Sequence, residues 1–263
     1  MDLIIKNTKL ENGKIADIGI SRGKIVKIGK ISAKDTETID AKGNLVTPTF
    51  IDSHIHLDKC LISDSTPKNI TGTLKESIEL TWNRKKRYTV NDIVERAGKV
   101  IDWHILHGST IIRTHVDVDT LGKLMPAKGL IATREKYKNL IDLEIVAFPQ
   151  EGILQDEGTE KLLYQAMELG CDVVGGMPHN EMTDDDGKRH IDICFEIAKK
   201  FDKDIDMHVD ETDDPNSRTL QYLAWKTIKE NYQGRVTAGH TCALSAYDVY
   251  YAAKVIGWVK KAG

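Results

Sequence analysis

Two histidines stand two residues apart in the run Phe50-Ile51-Asp52-Ser53-His54-Ile55-His56. In a strand, residues i and i+2 project to the same face, so His54 and His56 can offer imidazole nitrogens to a single ion. The pair alone is only moderately specific. Other apolar runs end in titratable or amide groups too: His115 and Asp117 in TIIRTHVDV, Gln150 and Glu151 after DLEIVAFP, and His179 after CDVVGGM. DIDMHV is closed by His208, Asp210 and Glu211, and RVTAGH by His240. One histidine in such a place is more often structural, but the same placement in run after run is hard to reach by chance. The remaining histidines have plainer readings. His104 and His107 fall on a helix as packing or surface groups, and His190 falls in the helix after Gly187.

The elements that must position these groups alternate. From Thr49 onward the chain repeats strand, loop and helix, with strands expected at 50–54, 110–118, 142–149, 171–177, 204–209 and 235–240. Near-continuous apolar strands of this length suit a parallel sheet covered on both faces. Between them, Ile93, Ala97, Val100 and Ile101 share one helix face, capped by Asn91 or Asp92 and stopped by Gly108. Leu162, Leu163, Ala166 and Met167 form a second stripe, stopped by Gly170, and Ile191, Cys194, Ile197, Ala198 and Phe201 form a third. Asp214-Pro215 opens a fourth helix and Ser245 a fifth. Residues 1–48 read instead as short β-rich strands broken by Asn12-Gly13 and Arg22-Gly23, with Pro48 at the boundary. In a β/α barrel, the C-terminal ends of the strands form the face that carries the active site.

The 263 residues are 40% apolar and 29% charged, with a net charge of −3. This mix excludes a disordered, collagen-like or disulfide-scaffold chain and argues against a strongly basic nucleic-acid binder. Arg84, Lys85, Lys86 and Arg87 are read as a solvated helix end. No GxGxxG or GxxxxGK[ST] fingerprint follows a strand, which counts against a dinucleotide or P-loop fold. Lys6 interrupts the N-terminal apolar run, and no run reaches the roughly 20 apolar residues of a membrane helix. Cys60, Cys171, Cys194 and Cys242 lie far apart, as reduced thiols of a cytoplasmic protein would.

PTFIDSHIHLDK resembles the first-strand motif of the amidohydrolase superfamily. IIRTHVDV, IVAFPQEG, DVVGGMPH, IDMHVDET and RVTAGHT resemble successive segments of its cytosine deaminase branch, over essentially the whole chain. The resemblance implies an incomplete TIM-type (β/α) barrel of about six of eight strand–helix units, with a small N-terminal β subdomain. It implies metal ligands at His54, His56 and His208, an acid/base role for Glu211, and a place for His240 beside the metal's water. It also implies substrate contact by Gln150, and His179 is a candidate for lining the pocket. His115 and Asp117 stand equally as supports behind the ligands or as structural groups. Three neutral imidazoles suit one divalent ion, zinc or iron. No lysine stands in CDVVGGM to bridge two ions, which argues for a mononuclear site.

The implied activity is hydrolytic release of ammonia from a nitrogen heterocycle by metal-activated water. The alternatives are a related amidohydrolase that cleaves a ring amide or an N-alkyl amine, or an inactive fragment or pseudoenzyme needing a complementary chain. The family pattern places a further metal-binding aspartate at the end of an eighth strand, and no residue within 49–263 corresponds to it. The chain is therefore expected to be the N-terminal portion of a longer pattern, or to be completed by a separate chain or a swapped protomer. The expected partner is a small heterocyclic molecule, with no nucleic acid and no membrane. Homo-oligomerisation, or association through the open barrel edge, is expected as well.

Overall fold

The computed structural model describes residues 1–32 and 35–263, which divide into the units Met1–Phe50 and Ile51–Gly263. In the first unit β1 (Leu3–Lys9), β2 (Ile15–Ser21), β3 (Lys24–Gly29) and β4 (Glu37–Asp40) form one sheet in the order β3-β2-β1-β4. β1, β2 and β3 pair as antiparallel hairpins. Arg22 and Gly23 both take positive φ, 51° and 69°, as the tight turn between β2 and β3 requires. β4, which pairs parallel to β1, is not among the expected strands. Its four residues, ETID, are all exposed, so no apolar alternation marks it.

In the second unit β5 (Phe50–Ile55), β6 (Ser109–Asp117), β7 (Asp142–Phe148), β8 (Val173–Gly176), β9 (Asp204–Val209) and β10 (Val236–His240) form a six-stranded sheet in strict chain order. From β6 to β10 each pairing is parallel. Parallel neighbours in sequence order, each joined by a crossover helix, build a (β/α) barrel, and six of its strands are present here. β7 shows why: after Asp142, every residue to Phe148 except the half-buried Glu144 is buried. Gly175 in β8 is required by packing, because a Cβ there would lie 2.6 Å from the Ala147 carbonyl oxygen in β7.

The crossovers hold α1 (Leu74–Lys85), α2 (Val90–Leu106), α3 (Met125–Tyr137), α4 (Thr159–Leu169), α5 (Asp184–Phe201), α6 (Thr219–Lys229) and α7 (Val249–Ala262). The expected stripes are buried: Ile93, Ala97 and Ile101 in α2, Leu163 and Ala166 in α4, and Ile191, Cys194, Ile197 and Ala198 in α5. Gly170 ends α4 in the left-handed conformation at φ 108°.

Several helix starts differ from expectation. Thr89, not Asn91 or Asp92, caps α2, its hydroxyl accepting the Asp92 amide at 3.2 Å. Asp214-Pro215 opens no helix: the Asp214 carboxylate accepts the Asn216 amide at 2.8 Å in a local turn, and α6 starts at Thr219. Asp210 caps α6 from the end of β9, taking the Thr219 and Leu220 amides at 3.0 and 2.9 Å. Ser245 lies in a 3-10 turn, and Asp248 caps α7.

Two helices lack a readable stripe. α3 carries Gly129, where an added Cβ would come 2.7 Å from Ile93, so close helix packing replaces side-chain pattern there. α1 buries only Arg84 and Lys85. Those two residues overturn the reading of a solvated basic cluster, for reasons that lie at the strand ends.

Candidate metal centre and active site

Four strand ends bring five histidines together. The His208 ring lies 4.7 Å from His54, 5.4 Å from His56, 4.9 Å from His115 and 4.4 Å from His240, centroid to centroid. His54, His208 and His240 each present a ring nitrogen within 4.8 Å of the other two. His56 is 5.4 Å from His54, but its nitrogen groups with the carboxylates of Asp58 and Asp117. Phe148, the last residue of β7, is fully buried and packs against the cluster, its ring 4.2 Å from His208 and 5.6 Å from both His56 and His115, centroid to centroid.

The backbone around the cluster is tightly turned. Asp210, His240 and Thr241 take φ of 48°, 64° and 51°. The left-handed region costs non-glycine residues energy and persists where neighbours hold it. Here the Thr241 amide donates to the Val209 carbonyl and the Ala243 amide to the Asp210 carbonyl, at 2.9 and 3.0 Å. Between the two turns stands Glu211. Its carboxylate oxygens lie 3.6 Å from His208 Nδ1 and 3.4 Å from His240 Nδ1.

Burial sets the protonation of the cluster. Desolvation, helped by neighbouring histidines, pulls the His54 and His208 pKa values down. Burial, together with the Lys59 charge, pulls His56 down to about 2. These rings are neutral near pH 7, with lone pairs free to bind a cation. His56 Nδ1, His208 Nε2 and both nitrogens of His115 are buried without a hydrogen-bond partner among the described residues. An orphaned buried polar atom costs about 1–3 kcal/mol, and several in one place fit a bound ion. Imidazole donors of this number suit a divalent transition metal.

Behind the histidines lies an ionic network that the sequence does not announce. Lys85 reaches from the end of α1 to Asp117 at 2.6 Å, Asp119 at 2.5 Å and Glu151 at 3.2 Å. Its side chain is 1% exposed. Burial opposes its charge, but the two aspartates outweigh that and raise its pKa. Burial likewise opposes ionisation of Asp117, and the Lys59 and Lys85 ammonium groups overcome it and hold the carboxyl below its usual range. Asp58 shares this interior, and burial and the Asp117 charge raise its pKa. Trp82 of α1 donates its indole N–H to Glu151 at 2.8 Å. Arg84 pairs with Asp92 and donates to Ser65 Oγ at 2.8 Å.

Gln150 sits at the edge of this network, its Oε1 accepting from Lys59 at 2.6 Å. His179 is half-buried in a 3-10 turn after β8, with Nδ1 unpartnered, and burial lowers its pKa. His190 is buried in α5, accepting the Met177 amide at 2.9 Å and donating to Glu181 at 2.7 Å. Glu181 also takes the amides of Ile153, Leu154 and Gln155, so this pair fixes the loops after β7 and β8. His104 meets Asp52 at 2.8 Å, and His107 is exposed. A cavity of about 650 Å³ opens on the sheet's inner face, bounded by Ser53, Arg113, Glu144, Asp206, His54 and His240. Its charged wall is already paired, Arg113 binding Glu144 at 2.6 Å and Asp206 at 2.8 Å, so the open valences lie at the strand ends.

Comparison with known proteins agrees with this geometry. The chain is 36% identical over 250 residues to N-isopropylammelide isopropyl amidohydrolase from Pseudomonas sp. (strain ADP), covering 91% of this chain and 60% of that protein. It is 31% identical to the pterin deaminase of Rhizobium rhizogenes, covering 94% of this chain and 56% of the relative. Among solved structures, the 5-methylcytosine deaminase of Klebsiella pneumoniae liganded with phosphonocytosine superposes with a TM-score of 0.91 at 37% identity, over 99% of this chain and 64% of that one. The chain thus spans roughly three-fifths of the length of these relatives. The sequence profile of the amidohydrolase family matches residues 37–261, and with the parallel strand order and the histidine-lined strand ends it establishes that the chain belongs to the amidohydrolase family.

Proposed function

We propose that this chain carries the metal-dependent hydrolytic centre of a deaminase that releases ammonia from a nitrogen heterocycle. The observation that carries the reading is Glu211, set within 3.6 Å of His208 and 3.4 Å of His240 inside the five-histidine cluster. His54, His56 and His208 are the proposed ligands of one divalent ion, zinc or iron. When bound, such an ion supplies Lewis acidity and a water nucleophile at neutral pH. Glu211 is open enough to meet a substrate, its side chain 40% exposed. It would accept one proton of the water and pass it to a ring nitrogen, then take the proton left on the added hydroxyl and pass it to the amine, which departs as ammonia. His240, beside it, holds the oxygen that adds to the ring carbon. Gln150 aligns the ring edge, and His179 lines the pocket.

A second reading, loss of an N-alkyl amine, is favoured by the similarity to N-isopropylammelide isopropyl amidohydrolase. No helix of the described residues is long and apolar enough to cross a membrane. A cytoplasmic setting is proposed on the four free thiols. Self-association along the open edges of β5 and β10 is the proposed mode of assembly.

The test is a screen of cytosine, isoguanine, creatinine and amino- or alkylamino-triazines, with zinc or ferrous iron supplied. It uses the chain alone and the chain completed with the remaining segment of a relative. Ammonia release that falls about 10²–10⁴-fold in Glu211→Gln supports the proposal. Alkylamine release selects the second reading, and silence of the completed form across the panel refutes both.

A further inference from the structure

We infer that Lys59 is a positioning residue that fixes the polarity of Gln150, so that the site selects heterocycles presenting a hydrogen-bond acceptor, such as a ring carbonyl, on the edge that Gln150 meets. This rests on the proposed role of Gln150 as the residue that aligns the ring.

A free carboxamide can offer its oxygen or its NH₂ by turning over. Lysine has three donors and no acceptor, so whichever atom faces Nζ at hydrogen-bond distance must be the oxygen. Lys59 Nζ stands 2.6 Å from Gln150 Oε1. The ammonium itself has no freedom to leave, because it donates to Asp117 Oδ1 at 2.8 Å and that carboxylate is fully buried. Asp117 is fixed in turn by Lys85 on its other oxygen at 2.6 Å. A charge-assisted bond to the amide oxygen is roughly twice as strong as a neutral one. Among the described residues, the hydrogen-bond partner of Gln150 Nε2 is the Met177 sulfur at 3.4 Å, a weak acceptor. The amide therefore keeps its donor side in reserve for a ligand. The backbone anchors the residue too: Asn180 Nδ2 donates to the Gln150 carbonyl at 3.3 Å.

Turning the amide over would set its NH₂ against an ammonium ion and lose the charge-assisted bond. The chain Lys85–Asp117–Lys59–Gln150 thus carries a polarity choice from α1 through the end of β6 to the end of β7. Nothing in the residue types of PQEG states that choice, since glutamine alone serves either polarity.

Paired probes test this on the full chain. Cytosine and 2,4-diaminopyrimidine have nearly the same shape but opposite polarity on one edge, where the first has a carbonyl acceptor beside a ring N–H and the second an amino donor beside a ring-nitrogen acceptor. Calorimetric titration should show the wild type favouring cytosine by about tenfold or more. Lys59→Met should shrink that ratio to within about threefold, and Lys59→Arg should retain it, since both basic residues only donate. Gln150→Glu keeps a partner for Lys59 but presents an acceptor, so the preference should reverse. A cytosine preference unchanged in Lys59→Met, or unreversed in Gln150→Glu, overturns the inference.

If neither probe binds any variant, the reading of Gln150 as a heterocycle contact is what fails, and the polarity lock is judged without ligand. In chain labelled with ¹⁵N-glutamine, a cation on the amide oxygen raises the double-bond character of the C–N bond. NH₂ rotation at Gln150 should be slower than at the exposed Gln155, and Lys59→Met should abolish the difference. Equal rates in wild type and Lys59→Met overturn the lock.

Discussion

Replacing Lys85 with methionine removes the ammonium from a pocket in which its side chain is 1% exposed and those of Asp117 and Asp119 are wholly buried. The stem volume is nearly conserved, so little of the effect can come from packing. What remains is electrostatic. Asp117 keeps Lys59 at 2.8 Å, but Asp119 keeps only neutral donors, among them the Gly122 amide at 2.7 Å. Removing one partner of a buried ion pair costs about 3–5 kcal/mol. For a chain of this size 3 kcal/mol corresponds to a fall in Tm of roughly 6–12 °C. The deficit should depend on pH with a definite sign. In the variant burial favours the protonated form of a carboxylate left without its ammonium, so the folded state binds more protons than the unfolded state and stability falls as pH rises. The gap between variant and wild type should be smaller at pH 5 than at pH 8, and Lys85→Met/Asp119→Asn should recover part of it. Urea denaturation followed by circular dichroism reads all three quantities. A loss below about 1 kcal/mol at pH 8 would show that Lys85 is solvated and that α1 is not anchored by this network.

Other outcomes follow from the same geometry. Gly175→Ala should destabilise the sheet by about 1–3 kcal/mol through overpacking, since its Cβ would meet the Ala147 carbonyl at 2.6 Å; an unchanged urea midpoint would contradict that register. The metal-free chain should lose stability as pH falls below 6.5. His56 and His208, whose folded pKa values are depressed, take up protons on unfolding, while the raised pKa of Asp58 opposes them with one proton. His54, His179 and His190 are depressed in the same direction, so the net fall is at least about 1 kcal/mol per pH unit between pH 6 and 5, measurable by thermal melts, and a rise in Tm over that range would show the rings to be solvated. Glu181→Gln should leave metal binding intact but loosen the loops after β7 and β8, because the amides of Ile153, Leu154 and Gln155 and the His190 ring share that carboxylate. Hydrogen exchange at those three amides should accelerate, and unchanged exchange would contradict the clamp.

The positions of the site residues were readable wherever a single element carried the signal. β9 was legible from DIDMHV to the residue, whereas β5 ends at Ile55, one residue before His56, whose nitrogen groups with Asp58 and Asp117 while that of His54 groups with His208 and His240. The helix stripes of α2, α4 and α5 were legible because one face meets the sheet. What the sequence hides is pairing at a distance. Lys85 looks like its neighbours Arg84 and Lys86, and only the approach of Asp117 and Asp119 from β6 makes it a buried ion. The start of α6 was misplaced for a similar reason: its cap, Asp210, lies nine residues upstream of Thr219, beyond the reach of local capping rules. α3 was hidden because Gly129 trades a side chain for close contact with Ile93.

One divalent ion is proposed to sit at the ends of β5 and β9, on His54, His56 and His208, with His240 of β10 beside it. The most direct measurement is titration of the metal-free chain with Co²⁺, following the visible absorption of the bound ion, in wild type, His54→Ala and His208→Ala. Wild type should bind one equivalent and both variants should lose the absorption, with their folds intact by circular dichroism. Binding that is the same in all three proteins would place the ion elsewhere and contradict the proposed site.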